Sequence, residues 1–485
     1  MKTPRRPARP PLAGWAATLA VALASCAVGP DYVRPATPAP ASFKESAGPD
    51  LQWLPAAPAD TLERGPWWQL FGDETLNSLA AQVDVSNQNV AAALAAYAQA
   101  NALVSEQRAG LFPQLALNAA ARRSGDGAAA GASLGPSNSL QLGVAASWAP
   151  DVWGSLRRAV EGAQAGALAS QADLAAAKLS AQGTLATDYF ALRDADAELA
   201  LLDDTVQAYE RALKITQNRY AAGIAPRTDV LQAQTQLAST RADRVALRSQ
   251  RAQFEHALAV LVGQAPGDFS VAAGAGNTTV PAIPLGVPSA LLQRRPDIAA
   301  AERAVAQANA QIGIQRAGYF PSLNLSASAG HSASRAGDLF LASTRVWSLG
   351  LSAAQTLFDA GATGARVEQA VAARDAAAAR YRQTVLGAFQ SVEDQLASAH
   401  ALADQATLRL EASQAADLTE QQLLNRYQAG QVAYTDIVTA QASALSARRT
   451  LAQLTSSRQA TAIALIQSLG GGWHVAAEPA PAAPP

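Results

Sequence analysis

Few residues of this 485-residue chain have chemistry to offer, and they fall into two groups. The first is the only cysteine, Cys26. It follows Leu23-Ala24-Ser25 at the end of a short apolar run from Leu12, itself preceded by Lys2, Arg5, Arg6 and Arg9. Basic, then apolar, then small residues is the pattern of a secretory leader, and the four residues ending in Cys26 match a bacterial lipobox. The chemistry expected there is cleavage before Cys26 and acylation of its sulfur and amino group. The apolar run is too short to cross a bilayer permanently. Acyl chains would hold the chain instead, at about 0.8 kcal/mol per buried CH₂, and Ala27 resembles the residue found at that position in lipoproteins sorted to the outer membrane.

The second group surrounds two acids, Asp229 and Asp436, each in a copy of one pattern. Asn218-Arg219-Tyr220-Ala221-Ala222-Gly223 continues to Thr228-Asp229, and Asn425-Arg426-Tyr427-Gln428-Ala429-Gly430 continues to Thr435-Asp436. In each, the tip glycine, Gly223 or Gly430, closes one helical pattern, and Thr-Asp five residues later is expected to cap the next helix. So short a connection makes the two helices antiparallel neighbours. Copies of such a tip around an axis would form a ring of like charges that repel one another and attract cations or a partner. Tyr220 and Tyr427 could hydrogen-bond across neighbouring helices to hold the tip shut, and Arg227 could pair with an acid.

Enzyme chemistry finds no foothold. His256, His331, His400 and His474 are scattered, and the chain has no H-E-x-x-H, P-loop or Cys-x-x-Cys pattern. Gly131-Ala132-Ser133-Leu134-Gly135 fits the nucleophile-elbow pattern but lies in a Gly/Ser-rich connection, away from the strand-to-helix turn that motif needs. No metal or cofactor is expected. A net charge of −1 argues against a nucleic-acid partner held by counterion release. The hydrophobic fraction of 49% is mostly alanine and only 6% of residues are aromatic, which favours extended helices over a large globular core.

The elements that must position these residues follow from periodicity. Residues 1–25 are the leader and 26–65 a Pro-rich extended tether. Trp67-Trp68-Gln69-Leu70-Phe71 opens the structured part, with Asp73 or Thr75 capping a helix to residue 84 and a second helix from about 87 to 109. Alternating residues then predict strands at about 113–123 and 138–149, of the length and weak alternation of membrane barrel strands. A soluble hairpin with one face on a core is the competing interpretation of those strands. Residues 157–222 contain no proline and predict a helical rod of roughly 100 Å, returning over about 228–262. The plan then recurs. Gln107-Arg108-Ala109-Gly110-Leu111-Phe112-Pro113 reappears as Gln315-Arg316-Ala317-Gly318-Tyr319-Phe320-Pro321, offset by 208, and the tips by 207. Residues 66–270 and 289–472 are therefore two copies of one unit, joined by a linker at 271–288 and followed by a disordered tail at 473–485. The second copy has strands at about 321–333 and 344–357, a rod over 364–429 and a return helix over 436–469. Its rod carries Val385, Phe389, Val392, Leu396, Ala399, Ala403, Ala406 and Leu410, spaced four and three alternately as in a coiled-coil seam.

Four strands cannot close a membrane barrel, and an open edge in lipid leaves backbone groups unpaired. The barrel must be shared, and three chains would supply twelve strands, continued by their helices into a tube. Here a resemblance becomes specific. Val287-Pro288-Ser289-Ala290-Leu291-Leu292-Gln293-Arg294-Arg295-Pro296-Asp297-Ile298, the Trp-Trp-x-x-Phe run, Gly29-Pro30-Asp31-Tyr32, both tips and Gly470-Gly471-Gly472-Trp473 resemble the TolC-type outer-membrane efflux family. More narrowly they are similar to the NodT/OprM-like lipoproteins of resistance-nodulation-division pumps, over residues 26–473. The resemblance implies a mainly α fold with a membrane β-barrel, built as a homotrimer in the outer membrane. It further implies docking on a periplasmic adaptor protein and an inner-membrane transporter to export drugs or other small toxic compounds. In that family the gate often carries a second acid three residues after the tip acid of the second half, where this chain has Thr439, with Gln232 in the first half. A type I protein-secretion channel and a non-channel envelope scaffold are the alternatives. The Arg-Pro-Asp-Ile run itself reads as a helix start, with Pro296 in the first turn and Asp297 at the positive end of the helix dipole.

Overall fold

A computed structural model describes residues 28–37, 40, 42–45, 65–125, 136–274, 276–281 and 294–471. Cys26, the Gly131–Gly135 pattern, the 287–293 part of the Arg-Pro-Asp-Ile run and Trp473 lie outside the described residues. Seven α-helices and four strands are formed among those described. The helices are α1 (Glu74–Ser86), α2 (Gln88–Ala109), α3 (Ser155–Ala221), α4 (Arg227–Leu261), α5 (Pro296–Ala317), α6 (Ala362–Gln428) and α7 (Tyr434–Ser468). The strands are β1 (Gln114–Ser124), β2 (Ser137–Trp148), β3 (Ser322–Ala333) and β4 (Arg345–Ala354).

The duplication is visible in element lengths: α2 and α5 have 22 residues each, α3 and α6 have 67, α4 and α7 have 35. Alanine-rich stretches without proline propagate such helices because alanine loses no side-chain entropy on ordering. Asp73 is the cap of α1, its carboxylate accepting from Leu76 N at 3.0 Å, and Asn87 caps α2 through Asn89 N and Val90 N. The tip helices differ from expectation. Helix α4 begins at Arg227 after Pro226, and α7 at Tyr434 after Ala433, with no side-chain cap bond at either. Thr228-Asp229 and Thr435-Asp436 therefore sit inside the first turn, two and three residues too late to cap, and the acids act there only on the helix dipole.

The chain divides into two compact units. The first holds the sheet, the helix ends joined to it, and residues 28–36. Those residues form an extended strap. Asn309 Nδ2 donates to Pro30 O at 2.8 Å, Arg158 pairs with Asp31 at 2.8 Å, and Arg34 pairs with the buried Glu302 at 3.2 Å. Burial, then the Glu302 charge, pushes the Tyr32 hydroxyl up while it donates to Glu302. Trp153 Nε1 donates to Pro321 O at 2.7 Å and its ring stacks on Phe320.

The second unit holds most of the buried apolar residues and both tips. Its core joins Trp67, Trp68 and Phe71 to Leu76 and Val83 of α1, Leu185, Tyr189 and Leu192 of α3, and Ile463 and Ile466 of α7. Tyr189 donates to Asp73 at 2.7 Å, so the α1 cap is locked to α3. Arg295 pairs with Asp297 and donates to Ser468 O, tying the start of α5 to the end of α7. The α6 seam is buried from Val385 to Leu396, but beyond it Ala403 and Leu410 are exposed.

Candidate functional site

Two features stand out as functional: the sheet and the tips. The sheet is antiparallel in the order β1-β2-β3-β4, so β1 and β4 each have an unpaired edge. Register puts side chains of opposite character on its two faces. Leu115, Leu117, Leu142, Val144, Trp148, Leu325, Trp347, Leu349 and Leu351 share one face, because Leu117 pairs with Val144, Trp148 with Leu325, and Leu325 with Leu351. The other carries Gln114, Asn118, Gln141, Ser147, Asn324, Ser326, Ser328 and Ser348. Among the described residues nothing covers the apolar face, where Leu115 is 75% exposed and Trp347 80%. A soluble hairpin packed on a core is thereby excluded: these large apolar side chains have no core to meet, and polar-in, apolar-out alternation is that of a barrel wall.

One boundary moves. Strand β4 stops at Ala354, short of the expected 357, because β3 begins at Ser322 and offers no partner before it. Gln355 Nε2 donates to Tyr319 O just past the end of α5, and Leu357 and Phe358 are exposed. In the first copy Trp148 Nε1 makes the matching bond to Leu111 O.

At the tips, each long helix closes with the same pair of bonds. Gly223 N donates to Tyr220 O and Ile224 N to Arg219 O; Gly430 N donates to Tyr427 O and Gln431 N to Arg426 O. This double closure needs a left-handed residue, and Gly223 and Gly430 have φ of 73° and 74°. Tyr427 is 4% exposed whereas Tyr220 is 47% exposed. Around Tyr427 pack Tyr434, with ring centroids 5.5 Å apart, together with Ile437 and Ala233. Arg219 lies over the Tyr427 ring at 4.6 Å and donates from Nη1 to Tyr427 O at 2.9 Å. Burial, then the adjacent Tyr427, pushes the Tyr434 hydroxyl up to about 12. Burial raises the Asp229 carboxyl, and Arg219 partly offsets that rise.

Asp436 and Arg227 are exposed and form no ion pair among the described residues, and Thr439 Oγ1 donates back to Thr435 O. Tyr220 makes no side-chain hydrogen bond among them. Tyr427 Oη and Arg219 Nε are buried without a hydrogen-bond partner among the described residues. Of the residues singled out from sequence, Asp229 and Tyr427 are thus brought together around Arg219, while Tyr220, Arg227, Asp436 and Thr439 are exposed and take no part in that cluster. Arg219 and Tyr434 were not singled out. The signal for Arg219 was the Asn-Arg-Tyr run present in both tips; Tyr434 has none, because the first tip has Arg227 at that place.

Comparison with known proteins agrees with this architecture. The family described as outer membrane efflux protein matches residues 79–264 and 287–471. Cation efflux system protein CusC of Escherichia coli is 29% identical over 456 residues, covering 94% of this chain and 98% of its own. Pyoverdine export outer membrane protein OpmQ of Pseudomonas aeruginosa is 31% identical over 453 residues, covering 90% and 94%. The solved structure of the outer-membrane channel OprN superposes with a TM-score of 0.83 at 30% identity, over 92% of this chain and all of that one. An unclosed barrel wall, duplicated hairpins and these matches together show that the chain belongs to the outer membrane efflux protein family.

Proposed function

We propose that three copies of this chain close a twelve-stranded barrel in the outer membrane and form the exit conduit of a tripartite efflux pump. A periplasmic adaptor protein and an inner-membrane resistance-nodulation-division transporter load the conduit, and Cys26 carries acyl chains that hold each copy to the lipid. The carrying observation is the sheet: one uncovered apolar face, one polar face and two open edges, which only further copies can complete without stranding backbone groups in lipid. CusC exports cations and OpmQ pyoverdine by their names, which supports small solutes as cargo over a secreted protein.

The duplication supplies the register of the joint. Paired residue numbers sum to 261 in the first hairpin (114 with 147) and 676 in the second (322 with 354), a difference of 415, which is 208 plus 207. The β2–β3 pairs sum to 473 (140 with 333), so a β4–β1 joint built the same way sums to 472, because 207 is added in passing from β2 to β4 and 208 subtracted in passing from β3 to β1. Ala353 then faces Ala119 of the next copy, and Leu357 meets Leu115. This explains why residues after Ala354 are unpaired in one chain.

The tips follow the same rule. Arg219 holds Tyr427 within a chain, so its counterpart Arg426 would hold the exposed Tyr220 of the next copy and keep the passage shut. Asp436, Asp229, Arg227 and Thr439 line that closed end, with Asp436 the acid of the ring. Purified lipidated protein is expected to have three times the polypeptide mass in detergent and to form pores in planar bilayers, with closed-state current raised by Asp436→Ala. A single-copy mass with no pores would overturn the proposal, and an unchanged closed current would remove Asp436 from the gate.

A further inference from the structure

The polar face of the sheet holds 23 residues across the four strands, read from the register of every pair. They are serine, asparagine, glutamine, alanine, glycine and one valine, with a single ionisable residue, Arg122. Arg122 lies near the end of β1 that enters the β1–β2 connection, opposite Ser139, is exposed, and forms no ion pair among the described residues. The helices join the other end of the sheet, so the connections mark the outer mouth.

Charge over the whole wall points the same way. Residues 114–148 and 322–354 contain Arg122, Arg123, Arg335 and Arg345 against Asp126 and Asp338, a net +2, whereas the whole chain is −1 and the remainder therefore −3. All four arginines lie at the connection end: Arg123 on the apolar face at the rim, Arg335 between β3 and β4, Arg345 at the start of β4. Asp126 lies outside the described residues. The joint register argued above also sets Arg122 beside Gly350 of the partner subunit, which has no side chain to crowd a guanidinium.

We propose that Arg122, repeated by the three copies, forms a positive ring inside the outer mouth that favours anionic solutes over cations along an otherwise uncharged inner face. This rests on the three-copy reading of the barrel. A guanidinium stays charged at any working pH, and its field reaches about 10 Å into the passage at 0.1 M salt but only about 3 Å at 1 M.

The test is the reversal potential of purified wild-type, Arg122→Ser, Arg122→Lys and Arg123→Ser channels in planar bilayers under a potassium chloride gradient. With the dilute side at about 0.1 M salt, Arg122→Ser is expected to lower the chloride-to-potassium permeability ratio about threefold or more. Arg122→Lys should retain the wild-type ratio, Arg123→Ser should change it little, and the difference should fade near 1 M. Conducting channels whose ratio is the same in wild type and Arg122→Ser would overturn the ring and leave the barrel standing. Absence of pores from wild type would overturn both.

Discussion

The two hairpin tips are built from one plan and end in opposite surroundings. Both close with the same backbone bonds on a left-handed glycine, yet Tyr427 is sealed under Arg219 and Tyr434 while Tyr220 stands open beside the exposed Ile224. The long helices diverge in the same sense. Helix α3 keeps Leu185, Leu192, Leu202 and Val206 buried, whereas the α6 seam surfaces after Leu396, with Leu410 46% exposed. The difference teaches that the environment of each copy is not set by its own sequence plan. Tyr427 of the second tip packs on Arg219 and Ala233 of the first, whereas Tyr220 of the first tip has no such neighbour among the described residues.

The most severe way to break this asymmetry is Tyr427→Ala. Removing a buried ring should cost about 3 kcal/mol at the second tip, read as faster hydrogen exchange over residues 425–437. In protein dissociated to single chains Tyr220→Ala should cost no more than about 0.5 kcal/mol, and an effect there equal to that of Tyr427→Ala would refute the asymmetry. Next is Arg219→Ala, which loses the ring contact and the bond to Tyr427 O, about 2 kcal/mol together. Arg219→Lys should restore only part, since lysine has no planar face to lay on the ring.

A smaller effect separates the helices themselves. Asp194 of α3 is held up to about 6, by burial first and then by Glu198, where α6 has Ala401 at the matching place. Its folded value stands above the unfolded value of about 4. Folding therefore favours the protonated acid: stability falls as pH rises from about 4 to about 6 and is level above. Asp194→Asn should remove that slope and stabilise the protein at pH 7 by about 1 kcal/mol, less than the full shift because the carboxyl is partly solvated; thermal unfolding at both pH values checks it. Smallest is the comparison Gly223→Ala with Gly430→Ala. Each should cost about 1 kcal/mol, and the two should agree, because the backbone plan is shared even where the packing is not.

Much of this architecture was legible in the residues, for physical reasons. Strands and rods announce themselves by periods of two and of seven over two turns, and the tips by a glycine whose left-handed conformation no other residue adopts as readily. The duplication held register because equal helices must reach equal ends. The N-termini of α4 and α7 were misplaced, because Thr228-Asp229 and Thr435-Asp436 look like caps, while proline and alanine at the true cap positions give no side-chain signal. Tyr434 could not be picked out, since its burial depends on Tyr427 and on Arg219 some 200 residues earlier. The end of β4 also escaped, since Gln355 to Phe358 alternate like a strand but have no partner strand within the chain.

The central claim is that each chain is one third of a wall, joined β4 to β1. It is tested most directly by Ala119→Cys with Ala353→Cys in one chain, oxidised in outer membranes and separated under denaturing, non-reducing conditions. A covalent ladder ending at three chains, reversed by reductant and absent from either single variant, is the predicted result. A double variant that reaches the outer membrane, conducts, and yields only uncross-linked chains would contradict the joint.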